Sequence, residues 1–313
     1  MHIALTFMTG RKDPHLEWVL AALDHQVLTG DDIELIVIDA LARPAAEIGF
    51  RARPWISNLI ESAPKPNVWQ GAHRVTDREW WATANARNTA IALCPSDVDY
   101  MAFLDDRSTP GPRWLATVRR YYLNSDAVVV GSYDKIEGKL DGGHIEHPKT
   151  PLPPGAKLSQ DHRRGVCPKG KINCGGGWLY GCTFALPLEW AFQVNGFEEG
   201  CDGLTGEDYI FGLMLSNAGR RIDFAPDLYV LQDRTTGNES CKGSYACRDK
   251  GTSPNDKSHA ALARFGKRRR TEFTPDLRAL RQDIAAGKPW PLPDPNQCDW
   301  FDGELVRDMK PTG

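Results

Sequence analysis

The stretch "HIALTFMTGRKDPHLEWVLAALDHQVLTGDDIELIVID" (2–39) contains one complete structural unit. "HIALTFM" (2–8) is a short apolar run that ends in the turn "TGRKDP". "HLEWVLAALDHQ" then carries apolar residues at helical spacing, and "IELIVID" (33–39) reads as a second buried strand. Strand, helix and strand in that order imply a parallel sheet.

The same alternation continues outward. "WWATANARNTAIALC" (80–94) reads as a helix, with Trp80 and Trp81 in its packing face, feeding the strand "YMAFLDD" (100–106). "PRWLATVRRYYLN" (112–124) is a further helix leading to the strand "AVVVGSY" (127–133). Four strands alternating with helices make a doubly wound α/β fold the expected class. From 134 to 176 the periodicity stops in a Gly-, Pro- and Lys-rich stretch. A loop of that length inside a compact domain is usually functional or disordered. "WLYGCTFALP" (178–187), the helix "LEWAFQVNG", the acidic turn "FEEGCDGLTGED" (197–208), the helix "YIFGLMLSNAG" and the strand "RIDFAPDLYVLQD" (221–233) close the core. Residues 234–313 read as an appendage, packed on the core or reaching for a partner. It holds the basic run "RFGKRRR" (264–270), a short helix at 275–286 and "PWPLPDP", whose prolines exclude a central strand.

Bulk properties exclude several classes. With 313 residues, 41% hydrophobic and 25% charged, the chain has an ordinary soluble composition and length enough for a substantial core. A net charge of −3 gives no global field toward nucleic acid or anionic lipid. No apolar run approaches the roughly 20 residues of a membrane span. The start "MHIALTFMTGRKD" lacks the basic region of a signal peptide, so a cytoplasmic protein is expected. None of the eight cysteines forms a C-x-x-C pair. Cys167, Cys174 and His162 could share a metal, but reduced thiols are the ordinary state in the cytosol. "GVCPKGKI" (165–172) matches the start of a phosphate-binding loop, yet Ile172 stands where Ser or Thr must hold Mg²⁺, and no strand precedes it.

Two acidic clusters carry the chemistry. Asp105 and Asp106 end an apolar strand, where open α/β sheets bind ligands. Such a pair can bridge Mg²⁺ or Mn²⁺ to a phosphate, or simply cap the next turn with Ser108. Glu207 and Asp208 stand behind a glycine and before an apolar helix. Acids there cap a helix and complement its dipole, and the same placement suits a general base.

In order along the chain, "ALTFMTGR", "ELIVID", "ANARNTAIALC", "FLDDRSTPGPRWL", "WLYGCTFALP" and "VNGFEEGCDGLTGEDYIFGLMLSNAG" resemble the inverting, nucleotide-sugar-dependent glycosyltransferases of family 2. The last segment is also similar to the C-terminal catalytic region of galactosyltransferases. The resemblance spans roughly 2–233 and implies a GT-A (Rossmann-like) mixed, mostly parallel sheet flanked by helices. A long irregular loop on the acceptor side and a C-terminal extension from 234 complete that expectation. It further implies that Thr9, Arg11, Asp39 and Arg87 contact the nucleotide, and that Asp105 and Asp106 form a DxD-type element. Asp105 would lie near the ribose or sugar and Asp106 on Mn²⁺ or Mg²⁺. Asp208 would take the acceptor proton and Glu207 would position a sugar.

Two departures stand out. Arg107 occupies the place of a frequent third acid, so that ligand is missing or the arginine meets phosphate itself. Where relatives often carry a metal-binding histidine, this chain reads "VLQDRTT", leaving Asp233 or His259 as substitutes. Trp178 and Tyr180 suit either stacking on an acceptor or core packing. The expected donor is a UDP-sugar, and the acceptor a glycan or a hydroxylated DNA base. A nucleotidyltransferase of similar fold and a non-catalytic nucleotide-sugar-binding module are the alternatives.

Overall fold

The computed structural model describes residues 1–11, 14, 16–67, 80–124, 126–139, 152, 155–167, 172–203, 206–236, 242–243 and 274–292. Its strands are β1 (His2–Thr9), β2 (Asp32–Asp39), β3 (Ile56–Ser62), β4 (Trp80–Trp81), β5 (Tyr100–Asp105), β6 (Ser108–Pro110), β7 (Val128–Lys139), β8 (Lys157–Gln160), β9 (Ile172–Cys174), β10 (Thr183–Pro187), β11 (Ile222–Thr236) and β12 (Lys242–Gly243). The α-helices are α1 (Leu16–Leu23), α2 (Thr83–Leu93), α3 (Trp114–Asn124), α4 (Arg163–Val166), α5 (Leu188–Gln193), α6 (Glu207–Asn217) and α7 (Leu277–Ala285).

The main sheet runs β3-β2-β1-β5-β10-β7-β11-β6, with β8 on β7 and β9 on β11. β1 is parallel to β2 and β5, β2 to β3, and β7 to β11, while β10 is antiparallel to both β5 and β7. The sheet is therefore mixed and mostly parallel, as the family resemblance implied. Side chains alternate between two cores, as the two-residue period of a strand requires. Ala4, Met8, Met101 and Phe103 face α2, α6 and α7, while Leu5, Phe7, Ala102 and Leu104 face α1 and α3.

Register fixes the geometry of the site. Thr9 pairs with Asp39, and Met8 with Asp105, so β1, β2 and β5 end side by side. The antiparallel β10 begins at that same edge, with Thr183 opposite Leu104. The four termini make a crevice beyond the carboxyl ends of the parallel strands.

Several sequence expectations need correction. Trp80 and Trp81 do not begin the helix; they form β4, parallel to β12, and α2 starts at Thr83. Two β-favouring aromatics precede Ala82, whose extended backbone (φ −100°, ψ 95°) ends the strand and admits the helix. β3 leaves no strand signal in the sequence, because an edge strand with a burial pattern this mixed has no clean alternation. The stretch 134–176 is also more ordered than its composition suggests. β7 runs on to Lys139 beside β11, and the wholly exposed β8 pairs antiparallel with it. Backbone hydrogen bonds hold these strands, and they leave no hydrophobic pattern. Residues 140–151 lie outside the described residues, as does the basic run at 264–270. α7 packs on the core through buried Leu277 and Leu280. Among the described residues no helix is long and apolar enough to cross a membrane.

Candidate active site

α2 has no capping side chain of its own. Asp202, 118 and 117 residues on, accepts hydrogen bonds from the Ala84 and Asn85 amides at 2.7 and 2.9 Å. A helix with orphan amides thereby clamps the segment that leads into α6. Asn88 strengthens the clamp: its amide donates to the Phe197 carbonyl and to Glu199 (both 2.8 Å) and accepts from the Phe197 amide (2.8 Å). Glu199 is fully buried and meets buried Lys65 Nζ at 2.7 Å. Burial, with Glu199 beside it, pushes the Asp202 carboxyl well above the usual carboxylate range.

This scaffold sets Glu207 and Asp208 in the first turn of α6. Arg87, on α2, donates to Glu207 (2.9 Å) and to the Gly181 carbonyl (3.3 Å), and its guanidinium lies 5.0 Å over the Phe197 ring. Asp208 accepts from the Gly181 amide at 2.7 Å. Gly181 thus carries both acids' tethers, and the next residue, Cys182, accepts from the Asp105 amide at 3.1 Å. The two acid pairs, a hundred residues apart in sequence, are joined through Gly181 and Cys182. Burial first, then the charge of Asp208, raises the Glu207 carboxyl, with Arg87 opposing. Burial pushes the Cys182 thiol up to about 12, so a neutral sulfur separates the pairs.

A Cβ at Gly181 would stand 2.1 Å from Arg87 Nη2. The clash falls on the end of a flexible side chain, so Gly181→Ala should fold and yet move Arg87 off Glu207. Turnover is expected to drop about 100-fold, the scale of a misplaced catalytic constellation. Melting temperature should barely change, which differential scanning fluorimetry checks alongside the rate.

At the sheet edge, Thr9 Oγ1 donates to Asp106 Oδ2 at 2.7 Å, and Arg11 Nε lies 3.1 Å from Asp106 Oδ1 and 3.0 Å from Oδ2. Asp105 Oδ1 accepts from the Arg107 amide (3.1 Å). Asp105 Oδ2 accepts from Gln232 (3.2 Å), with Arg234 at 3.9 Å. Burial alone would raise the Asp105 carboxyl, but Arg234 and Arg11 outweigh it and hold it well below the usual range. Burial raises the neighbouring Asp106, and Asp105's charge adds to that. Arg107, buried near Arg11 and Arg234, is pulled below the ordinary guanidinium range by its burial and by Arg11.

Asp39 serves its own loop: it accepts from the Leu41 amide (2.9 Å) and from Arg43 Nε (2.7 Å), while Arg43 Nη2 donates to the Arg11 carbonyl at 2.5 Å. Asp233 shares β11 with Gln232 and Arg234 but lies on the alternate side of the pleat from the two that reach Asp105. Its amide donates to the Arg107 carbonyl at 3.0 Å. His259 lies outside the described residues. Trp178 packs edge-on against Phe224 at 5.3 Å, and Tyr180 stacks on the Arg163 guanidinium at 4.1 Å. Both are half-buried, whereas Tyr209, next to Asp208, is exposed.

Sequence reading missed Gln232, Arg234, Arg43 and the Lys65–Glu199–Asp202 support. The pleat of "VLQDRTT" held the signal for the first two: if the strand faces Asp105 with 232, it does so again with 234.

A cation at Asp105–Asp106 needs carboxylate oxygens aimed at a common point. Here each of the four oxygens already accepts a hydrogen bond, from Thr9, Arg11, Arg107 or Gln232, and three arginines adjoin them. That donor set does not fit a divalent ion. Among the described residues, the group of three ligand-type side chains within 4.8 Å of one another is His2, Glu34 and Asp97. His2 and Glu34 lie at the start of β1 and β2, the opposite end of the sheet. Cys167, Cys174 and His162 form no such group.

No protein-family profile and no curated protein matches the chain in sequence. Solved structures match it in fold. S. aureus TarS 1–349 in complex with UDP aligns with a TM-score of 0.54 at 13% identity, over 91% of this chain and 70% of that one. The same protein in complex with UDP-GlcNAc aligns with a TM-score of 0.50 at 12% identity, over 76% and 60%. GalNAc-T7 with UDP, GalNAc and Mn²⁺ aligns with a TM-score of 0.53 at 13% identity, over 99% and 57%. The chain thus spans less than two thirds of the length of the latter two. At such identities the likeness is one of architecture: the chain has the GT-A fold, seen in structures that hold UDP or a UDP-sugar.

Proposed function

We propose that the chain is an inverting glycosyltransferase that moves a sugar from a nucleotide-sugar, taken to be a UDP-sugar, to an acceptor hydroxyl. The observation that carries this reading is the coupling of the two acid pairs through Gly181 and Cys182 at the carboxyl ends of β1, β2 and β5. The ends of β1 and β2, with Thr9, Arg11 and Asp39, take the nucleotide, and Asp105 faces the ribose or sugar. Asp208 accepts the proton of the attacking hydroxyl, whose oxygen bonds to the anomeric carbon from the face opposite the diphosphate. The bond from that carbon to the diphosphate oxygen breaks, and its electron pair leaves with the nucleoside diphosphate. Arg87 holds Glu207 beside this centre to position the sugar.

The acceptor is a glycan or a hydroxylated DNA base; the second would need extrusion from the stack to reach Asp208. Assaying UDP release from a panel of UDP-sugars, with each acceptor class in turn, tests the reading. UDP release that depends on acceptor and yields a glycosylated product supports it. Pyrophosphate release from UTP without sugar transfer would identify a nucleotidyltransferase instead.

A further inference from the structure

We infer that arginines 11, 107 and 234 form the diphosphate site and replace a divalent cation in neutralising the leaving group. The inference rests on the glycosyltransferase reading above. Arg11 is held against Asp106 at 3.0 Å, and Arg234 lies 3.9 Å from Asp105. Arg107 follows the acid pair directly, and its amide is bonded to Asp105 at 3.1 Å. The end of the β6–β11 ladder fixes its backbone next to that of Asp233 and Arg234: Ser108 pairs with Gln232, and the Asp233 amide donates to the Arg107 carbonyl at 3.0 Å.

Arg11 and Arg234 stand against the two carboxylates, and Arg107, the residue after them, is buried near both arginines. A divalent cation would add positive charge beside these arginines and would have to share the Asp106 oxygens with Thr9 and Arg11. A diphosphate does the reverse. It brings negative charge to the arginines, whose planar forks match phosphate oxygens. Charge that develops on the departing oxygen is then met by fixed cations already in place, the effect a metal otherwise supplies. Asp106 on this account orients Arg11, and Asp105 draws Arg234 toward the site.

The test is calorimetric titration of the full chain with UDP, in excess EDTA and in excess MnCl₂, for the wild type, Arg107→Ala and Arg234→Ala, with uridine as the phosphate-free probe. The expected result is equal UDP affinity in EDTA and MnCl₂. Each variant should bind UDP about 10- to 100-fold more weakly, the worth of a charge-assisted hydrogen bond, with uridine affinity unchanged. UDP binding that requires Mn²⁺ would overturn the arginine site and leave the glycosyltransferase reading intact. Equal weakening of UDP and uridine would also overturn it, because the arginines would then only support the fold. Failure of uridine, UDP, GDP and TDP alike to bind would overturn the glycosyltransferase reading itself, and the inference with it.

Discussion

Replacing Asp208 by asparagine is expected to slow sugar transfer by about 100- to 10,000-fold, the contribution of a positioned general base. Binding of UDP should be unchanged. The separation of the two effects follows from the contacts. Asp208 accepts from the Gly181 amide through Oδ2 and from the Tyr209 amide through Oδ1; an asparagine carbonyl keeps the first bond, and its NH2 gives up the second. The link through Gly181 to Cys182 and Asp105 therefore survives, and the Ile210 amide still donates to the Gly206 carbonyl in the first turn of α6. What the amide lacks is a lone pair basic enough to take a proton from a hydroxyl in the transition state. Steady-state rates with saturating donor, beside calorimetric UDP affinity, read the two quantities independently. A variant that binds UDP normally and transfers sugar at the wild-type rate would remove Asp208 from the chemistry.

Lys65→Met is expected to destabilise the protein by about 3–5 kcal/mol, the cost of breaking a buried ion pair from one side. Both partners are withdrawn from water, Lys65 at 2% exposure and Glu199 at 0%. Their 2.7 Å contact joins the chain leaving β3 to the turn before α6. Without the ammonium, Glu199 keeps Asn88 as a donor but loses its counter-charge in a medium that solvates it poorly. Asp202, which caps α2 three residues further on, is already disfavoured as an anion by its burial and then by Glu199. The loss should therefore loosen the hold of α2 on the segment that positions Glu207 and Asp208, and activity should fall before global unfolding. Urea denaturation gives the stability and a parallel rate assay gives the order of events.

Much of the architecture is legible in the sequence because most of it is written in side-chain period. β1, β2, β5, α1 and α3 bury faces that the spacing of apolar residues announces. The acid pairs are legible as well, since two adjacent carboxylates after an apolar strand, or before an apolar helix, cannot be mistaken for core. What local reading cannot supply is the partner. Asp202 caps a helix more than a hundred residues earlier, and Lys65 meets a carboxylate 134 residues later. Nothing in the neighbourhood of either marks it as buried. Strands held by backbone pairing alone, such as β8, leave no hydrophobic trace, so the stretch after 134 carries no periodicity in its sequence. At β11 the pleat, and not the residue type, decides which side chains reach Asp105. Gln232 and Arg234 do so, while the acid between them, chosen for its chemistry, lies on the other side.

The central claim is that the donor nucleotide binds where β1, β2 and β5 end. A crystal structure of the chain with UDP tests it most directly. The account predicts the uracil against the ends of β1 and β2 at Thr9 and Asp39, with the diphosphate among Arg11, Arg107 and Arg234 and the open edge of the site toward Asp208. UDP bound elsewhere, for example at the opposite end of the sheet beside His2, Glu34 and Asp97, would contradict it.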